Sequence, residues 1–193
     1  MNNRWIKFQS GQCEQITKEW FSVLGKVDKI PTSKCPTYDF KIDSEKLLIE
    51  VKWINSENRF TPDKHAPTIS WTTEMTDKEF FSKIVEAVSH IQKDALNYPS
   101  YYRGGIVFWD TLFNFRQYPP TRANFTASFP LAYEICDKGW DYLILCEEPS
   151  VGDRPPVFIY IKKRELVNPL QKVFEKQSHT VYILMNDQFF QIK

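Results

Sequence analysis

The sequence lacks both a long apolar run and an excess of charge of one sign. No stretch approaches the roughly 18 apolar residues of a membrane-spanning helix, and no basic and apolar leader of the secretory type is present. Lys and Arg number 25 and Asp and Glu number 24, which gives a net charge of +1. We therefore expect a cytoplasmic protein with no membrane partner. This charge balance argues against tight nonspecific binding of nucleic acid through many phosphates, although local clustering of Lys and Arg can still supply a basic groove.

Cysteine and histidine are scarce and scattered. The four cysteines have no CxxC spacing and are Cys13, Cys35, Cys136 and Cys146. They are expected to be buried free thiols rather than ligands of zinc or an iron-sulfur cluster. The three histidines are His65, His90 and His179. Their separations argue against a histidine zinc site.

What the chain does have is a clear β-hairpin pattern at residues 35–53, CPTYDFKIDSEKLLIEVKW. The polar run at 43–46 is the turn-like stretch between two apolar segments, so it must reverse the chain. This reversal fixes the expected cross-strand pairs, which are Ile42 with Leu47, Phe40 with Ile49, and Asp39 with Glu50.

The last of these pairs places two acids opposite each other. Like charges in that position destabilise an antiparallel pair, whereas a cation between Asp39 and Glu50 would reverse the sign. Magnesium takes carboxylate oxygens together with waters and phosphate oxygens, so the two acids form a plausible metal site. Lys52 follows Glu50 by two residues, on the same face of the strand.

Asp39, ten intervening residues, then Glu50, Val51 and Lys52 resemble the PD-(D/E)xK signature of the restriction-endonuclease-like nucleases. Tyr38 stands where many members have proline. The resemblance implies that Asp39 and Glu50 bind Mg²⁺ or Mn²⁺, with the Val51 carbonyl as a further ligand. It implies that Lys52 orients or deprotonates the attacking water.

A helix is predicted over residues 12–24, before the hairpin, with a buried side formed by Ile16, Trp20, Val23 and Leu24. Family members often carry a glutamate on this helix. The step from Gly11 to Glu14 resembles the helix entry of the archaeal Holliday-junction resolvases, which implies a catalytic role for Glu14. Glu19 is the competing choice.

An ordinary half-buried sheet would also show an apolar and a polar face. In that interpretation Lys52 pairs diagonally with Asp39, and Lys41 pairs with Glu50. The lysines then only soften the repulsion between the acids.

Four residues are candidate substrate contacts. Arg59 and Lys64 lie in the proline-containing stretch 55–75. Loops of this length in compact domains are usually functional or disordered, so the stretch is a candidate substrate-contacting loop or an insertion without function. Gln92 lies on a helix predicted from Thr76, where some relatives carry a glutamine, although an ordinary surface position is the alternative. Arg116 lies among the aromatic residues of 111–129, which suit base stacking or a hydrophobic core.

The remaining elements predict a mixed α/β fold. GGIVFWD is expected to be a strand ending at Asp110, and DYLILCE and PPVFIYIKK are two more. A short helix is expected to begin at Asn168 and Pro169, and TVYILMNDQFFQI is expected to close as a hairpin. We expect one domain over residues 1–193, a mixed β-sheet flanked by α-helices in the restriction-endonuclease-like manner. The part after about residue 111 would be a family-specific elaboration.

The function expected from the resemblance is metal-dependent hydrolysis of phosphodiester bonds, with DNA as the expected partner and endonuclease action as the expected mode. A homodimer is expected by analogy with small enzymes of this type. The alternative is a catalytically silent member that binds nucleic acid or assembles a complex, because a fold does not determine a function.

Overall fold

The computed structural model describes residues 10–31, 37–54, 84–86, 94–109, 137–147, 156–177, 180–185 and 188–192. Within these ranges the chain is a mixed α/β structure, as predicted. Its helices are α1 (Ser10–Phe21) and α2 (Val167–Glu175), with 3-10 turns at Ser22–Leu24, Asp94–Asn97 and Arg164–Leu166. Its strands are β1 (Asp28–Lys29), β2 (Phe40–Ile42), β3 (Leu47–Ile54), β4 (Tyr102–Trp109), β5 (Tyr142–Glu147), β6 (Val157–Ile161), β7 (Val181–Met185) and β8 (Gln188–Ile192).

The eight strands of the described residues form one sheet, in which spatial order follows chain order from β1 to β8. The β1–β2, β2–β3, β5–β6 and β7–β8 pairs are antiparallel. The β3–β4, β4–β5 and β6–β7 pairs are parallel. The three mutually parallel strands β3, β4 and β5 therefore form the centre of the sheet, next to the predicted hairpin.

The hairpin has the predicted turn, and Phe40 pairs with Ile49 and Ile42 with Leu47. The expected pairing of Asp39 with Glu50 is wrong. β2 begins at Phe40, after Asp39, and the Asp39 N–H donates to the Ile49 carbonyl at 3.1 Å, one residue out of register. The Asp39 carboxylate bonds the backbone instead, which an aspartate at a strand end readily does.

One face of the sheet packs against both helices. Trp20 of α1 lies between Phe108 of β4 and Phe174 of α2, with ring centroids 5.8 Å and 5.6 Å away. The predicted first helix is confirmed, since Trp20 and Leu24 are buried and Ile16 and Val23 pack against the core. Cys13 and Cys146 are buried and form no disulfide, as predicted, whereas Cys35 and Cys136 lie outside the described residues.

The opposite face of the sheet is also buried. Its side chains alternate with those of the helix-facing core and include Leu48, Glu50, Val107, Leu143, Leu145, Phe158, Tyr160 and Leu184. Burial on both faces is usual for parallel strands. On the face of β3 that was expected to be polar, Leu48 and Glu50 are buried, whereas 39% of the Lys52 side chain is exposed.

The C-terminal elements follow the sequence closely, with one shift. The predicted final hairpin is confirmed by the antiparallel pairing of β7 and β8. The last helix was predicted to begin at Asn168, but α2 begins at Val167, after a 3-10 turn. Pro169 then lies in the first turn of α2, where its missing N–H costs no hydrogen bond. Among the helices of the described ranges, none combines the length and apolar character needed to cross a membrane.

Candidate active site

Three elements bring five charged side chains together at the end of β2. Glu14 comes from α1, Lys29 from β1, and Asp39, Glu50 and Lys52 from the hairpin. Each carboxylate is paired with a lysine, influences the pKa of another carboxylate, or does both. We call these five residues the carboxylate cluster.

Glu50 is the buried member of the carboxylate cluster, with 3% of its surface exposed. Its Oε1 accepts a hydrogen bond from the Lys52 ammonium, with Nζ and Oε1 2.5 Å apart. Its Oε2 is buried and has no hydrogen-bond partner among the described residues. Burial raises the pKa of Glu50 to about 7, the Asp39 charge adds to the rise, and Lys52 opposes it. A buried carboxylate oxygen without a donor is costly, so this atom is suited to a cation.

A residue far away in the chain lies beside Glu50 on the next strand, with Trp140 packed against it. This residue is Gly105, the parallel neighbour of Glu50 on β4. A Cβ built on Gly105 would lie 2.4 Å from Trp140 Cη2 and 2.8 Å from the Glu50 carbonyl oxygen. Trp140, itself 1% exposed, therefore lies over the glycine beside Glu50. The buried indole thus lies against the parallel neighbour of Glu50.

Asp39 is held by the backbone of β3. Its Oδ2 accepts the Val51 N–H at 2.8 Å. Burial raises the pKa of Asp39 and the Val51 hydrogen bond opposes this. The N–H and C=O of one strand residue point to the same side, so the Val51 carbonyl also faces the side of Asp39. Asp39 thus lies close to Val51 through this hydrogen bond and close enough to Glu50 for its charge to raise the Glu50 pKa.

Glu14 rather than Glu19 belongs to the carboxylate cluster. Glu14 forms an ion pair with Lys29, and its charge raises the pKa of both Asp39 and Glu50. Glu19 instead accepts a hydrogen bond from Gln15 on the exposed side of α1, at 2.7 Å.

Lys29 is a site residue that the sequence did not reveal. The hydrogen bond from its ammonium to Glu14 raises the pKa of Lys29, and the Asp39 charge contributes to the rise. β1 is only two residues long, which is too short to show a strand pattern. Its position comes from pairing of Lys29 with Phe40 and from the Ile30 N–H, which donates to the Asp39 carbonyl at 2.9 Å.

The lysines do not form the diagonal ion pairs of the simple sheet interpretation. Lys52 pairs with Glu50 on its own strand. Lys41 pairs with Asp43 in the turn, with both oxygens at 2.9 Å, and the Tyr101 hydroxyl donates to the same carboxylate. Lys41 therefore contributes nothing to the carboxylate cluster.

The four expected substrate contacts, Arg59, Lys64, Gln92 and Arg116, lie outside the described residues, as does Asp110 at the expected end of β4.

The donor set fits a magnesium ion that keeps most of its waters. Over the described part of the chain, no group of three or more His, Cys, Asp or Glu side chains is arranged to hold a metal. Magnesium commonly binds through one or two carboxylates, with waters and phosphate oxygens completing its octahedron. Asp39 and the unpartnered Oε2 of Glu50 supply two such ligands. Lys29 pairs with Glu14 and Lys52 pairs with Oε1 of Glu50, so neither lysine pairs with Oε2 of Glu50.

In comparisons with known proteins, no family model, no curated protein and no solved structure matches the chain.

Proposed function

We propose that the chain is a metal-dependent nuclease that hydrolyses phosphodiester bonds, with DNA as its substrate and the carboxylate cluster as its active site. The observation that carries this proposal is Glu50, a buried carboxylate with one oxygen on Lys52 and the other without a partner. The order of helix, hairpin and parallel strand supports the restriction-endonuclease-like fold that the sequence motif implies.

Each residue of the motif has a role that its surroundings favour. Asp39 and Glu50 would hold one or two Mg²⁺ or Mn²⁺ ions, aided by the Val51 carbonyl. A bound ion would lower the pKa of water and stabilise charge on the phosphate oxygens. Lys52 has 39% of its side chain exposed, so its ammonium can reach a water on the solvent side while it remains anchored to Glu50. As an ammonium it would orient that water by donating a hydrogen bond to the water oxygen.

One observation favours the non-catalytic alternative, a nucleic-acid-binding or assembly module with a nuclease-like fold. Lys29 and Lys52 already form ion pairs with two of the carboxylates, those of Glu14 and Glu50. Such a protein would bind nucleic acid in EDTA as well as it does in Mg²⁺, and it would leave the strand intact.

The test is a cleavage assay on end-labelled DNA and RNA of one sequence, with Mg²⁺, Mn²⁺, Ca²⁺ or EDTA. We expect cleavage of DNA in Mg²⁺ and Mn²⁺ only, with binding but poor cleavage in Ca²⁺. Glu50→Gln removes the metal-binding charge while retaining shape and should abolish cleavage.

The matched control is Glu45→Gln, which changes a glutamate of the same hairpin in the turn, outside the carboxylate cluster. It should cleave as the unmodified protein does. Equal activity of the two variants, corrected for folded protein, would refute the proposed site.

A further inference from the structure

Lys29 is the second lysine of the carboxylate cluster and lies outside the motif formed by Asp39, Glu50 and Lys52. Its side chain is 56% exposed, although the two residues of β1 are fixed by pairing with β2 and by the Ile30 hydrogen bond to Asp39. A rigid backbone thus presents a solvent-accessible ammonium beside Asp39. Its contact in the free protein is the Glu14 carboxylate.

The charges of the carboxylate cluster indicate what Lys29 is for. Three carboxylates and two ammonium groups carry a net charge of −1 when all are ionised. One divalent ion changes this to +1, and one phosphodiester then brings it to zero. Without Lys29 the same complex keeps a net negative charge, which would repel a phosphate in a partly buried site.

We propose that Lys29 binds a backbone phosphate of the nucleic-acid substrate, and that Glu14 holds its ammonium in place until the phosphate arrives. This inference rests on the proposed nuclease function. It assigns phosphate binding to Lys29 on β1, at the edge of the sheet. Lys52 on β3 serves the attacking water instead. No bond is made or broken at Lys29, because the step is an exchange of one anionic partner for another.

The proposal separates metal binding from substrate binding. Removing the Lys29 charge leaves the carboxylates more negative and frees Glu14. Lys29→Ala should therefore bind Mn²⁺ more tightly, on the order of 5-fold, as measured by calorimetry without nucleic acid. The same variant should bind duplex DNA more weakly in Ca²⁺. The slope of log K against log salt should fall by about 0.9, the value for one lost phosphate contact.

Two further variants complete the test. Glu14→Gln removes the anion that competes for Lys29, so its DNA affinity in Ca²⁺ should rise. Lys29→Arg keeps the charge and should retain the salt slope of the unmodified protein. Lys26→Ala is the matched control, because Lys26 is 84% exposed and pairs with Asp28 instead of a cluster carboxylate. Its Mn²⁺ affinity and salt slope should not change.

A purely structural Lys29 would give a different pattern. Lys29→Ala would then lower the thermal midpoint and weaken Mn²⁺ and DNA binding together, with the salt slope unchanged, and the proposal would be overturned. Lys29→Gln, which keeps a long polar side chain on β1, replaces Lys29→Ala if the latter does not fold. If the unmodified protein neither binds Mn²⁺ nor cleaves, the nuclease function fails. If it does both and the Lys29 variants match it, only the role of Lys29 fails.

Discussion

Glu50 is a glutamate in the interior of a sheet, and its ionisation should control stability near neutral pH. Burial raises its pKa from 4.5 to about 7, so the folded state favours the protonated acid. This contribution is fully present below pH 4.5 and is lost as the pH rises through 7. Its size is at most about 3.5 kcal/mol, from roughly 1.4 kcal/mol per pKa unit.

Urea denaturation in EDTA between pH 4 and 8 measures this contribution. The stability of the unmodified protein minus that of Glu50→Gln should fall as the pH rises, because glutamine mimics the protonated acid at every pH. A difference that stays constant from pH 4 to 8 would show that Glu50 ionises freely in the folded protein.

Lys52 is expected to act in the transition state rather than in folding. Lys52→Ala should reduce cleavage by the order of 10²-fold or more while DNA affinity stays near that of the unmodified protein. Lys41→Ala is its control, because Lys41 lies on the partner strand and pairs with Asp43. Single-turnover cleavage rates, normalised for folded protein, make the comparison. Similar rates for the two variants would contradict the role of Lys52.

At the scale of elements, the fit between β3 and β4 depends on Gly105. A methyl group there would enter the space of Trp140 and the Glu50 carbonyl. Gly105→Ala should therefore destabilise the fold by about 1–3 kcal/mol, as overpacking typically does. Gly11→Ala in α1 is the control, since nothing lies within 4 Å of its added Cβ. That change should stabilise the protein by about 0.5–1 kcal/mol.

Thermal or urea unfolding of the two alanine variants gives the measurement. The changes in unfolding free energy should have opposite signs in the two variants, which distinguishes a local clash from a general effect of replacing glycine. Equal stability of Gly105→Ala and the unmodified protein would mean that the Trp140 indole does not lie against this strand.

The hairpin shows where sequence reasoning succeeds and where it ends. The polar turn and the apolar segments on either side of it determine the pairs Phe40 with Ile49 and Ile42 with Leu47. Both signals lie within the hairpin itself. The departure of Asp39 from the ladder was not predictable, since its side chain competes for the backbone N–H of Val51. The burial of Glu50 was not predictable either, because its neighbours on the sheet include Gly105 of β4, which comes from a distant part of the chain.

For the whole molecule, metal binding should be visible as stabilisation. At Mg²⁺ or Mn²⁺ concentrations ten times Kd, mass action on the folded state adds about 1.4 kcal/mol, or about 3–6 °C in thermal midpoint. Asp39→Asn should have a slightly higher midpoint in EDTA, because the charge that repels Glu50 is gone, and should not respond to metal.

Differential scanning fluorimetry with and without EDTA measures both effects. Asn can still accept the Val51 N–H through its side-chain oxygen, so the strand end should be preserved. Metal shifts of equal size in Asp39→Asn and the unmodified protein would locate the binding elsewhere.

The chain-ordered sheet also has a consequence for synthesis on the ribosome. The hairpin is complete when Ile54 has been made, but β4, the parallel partner of β3, begins roughly 50 residues later. At about 5–20 residues per second, β3 waits several seconds with an open edge. That edge belongs to the apolar segment LLIEVKWI. The nascent chain should therefore recruit chaperones during this interval, before β4 pairs with β3.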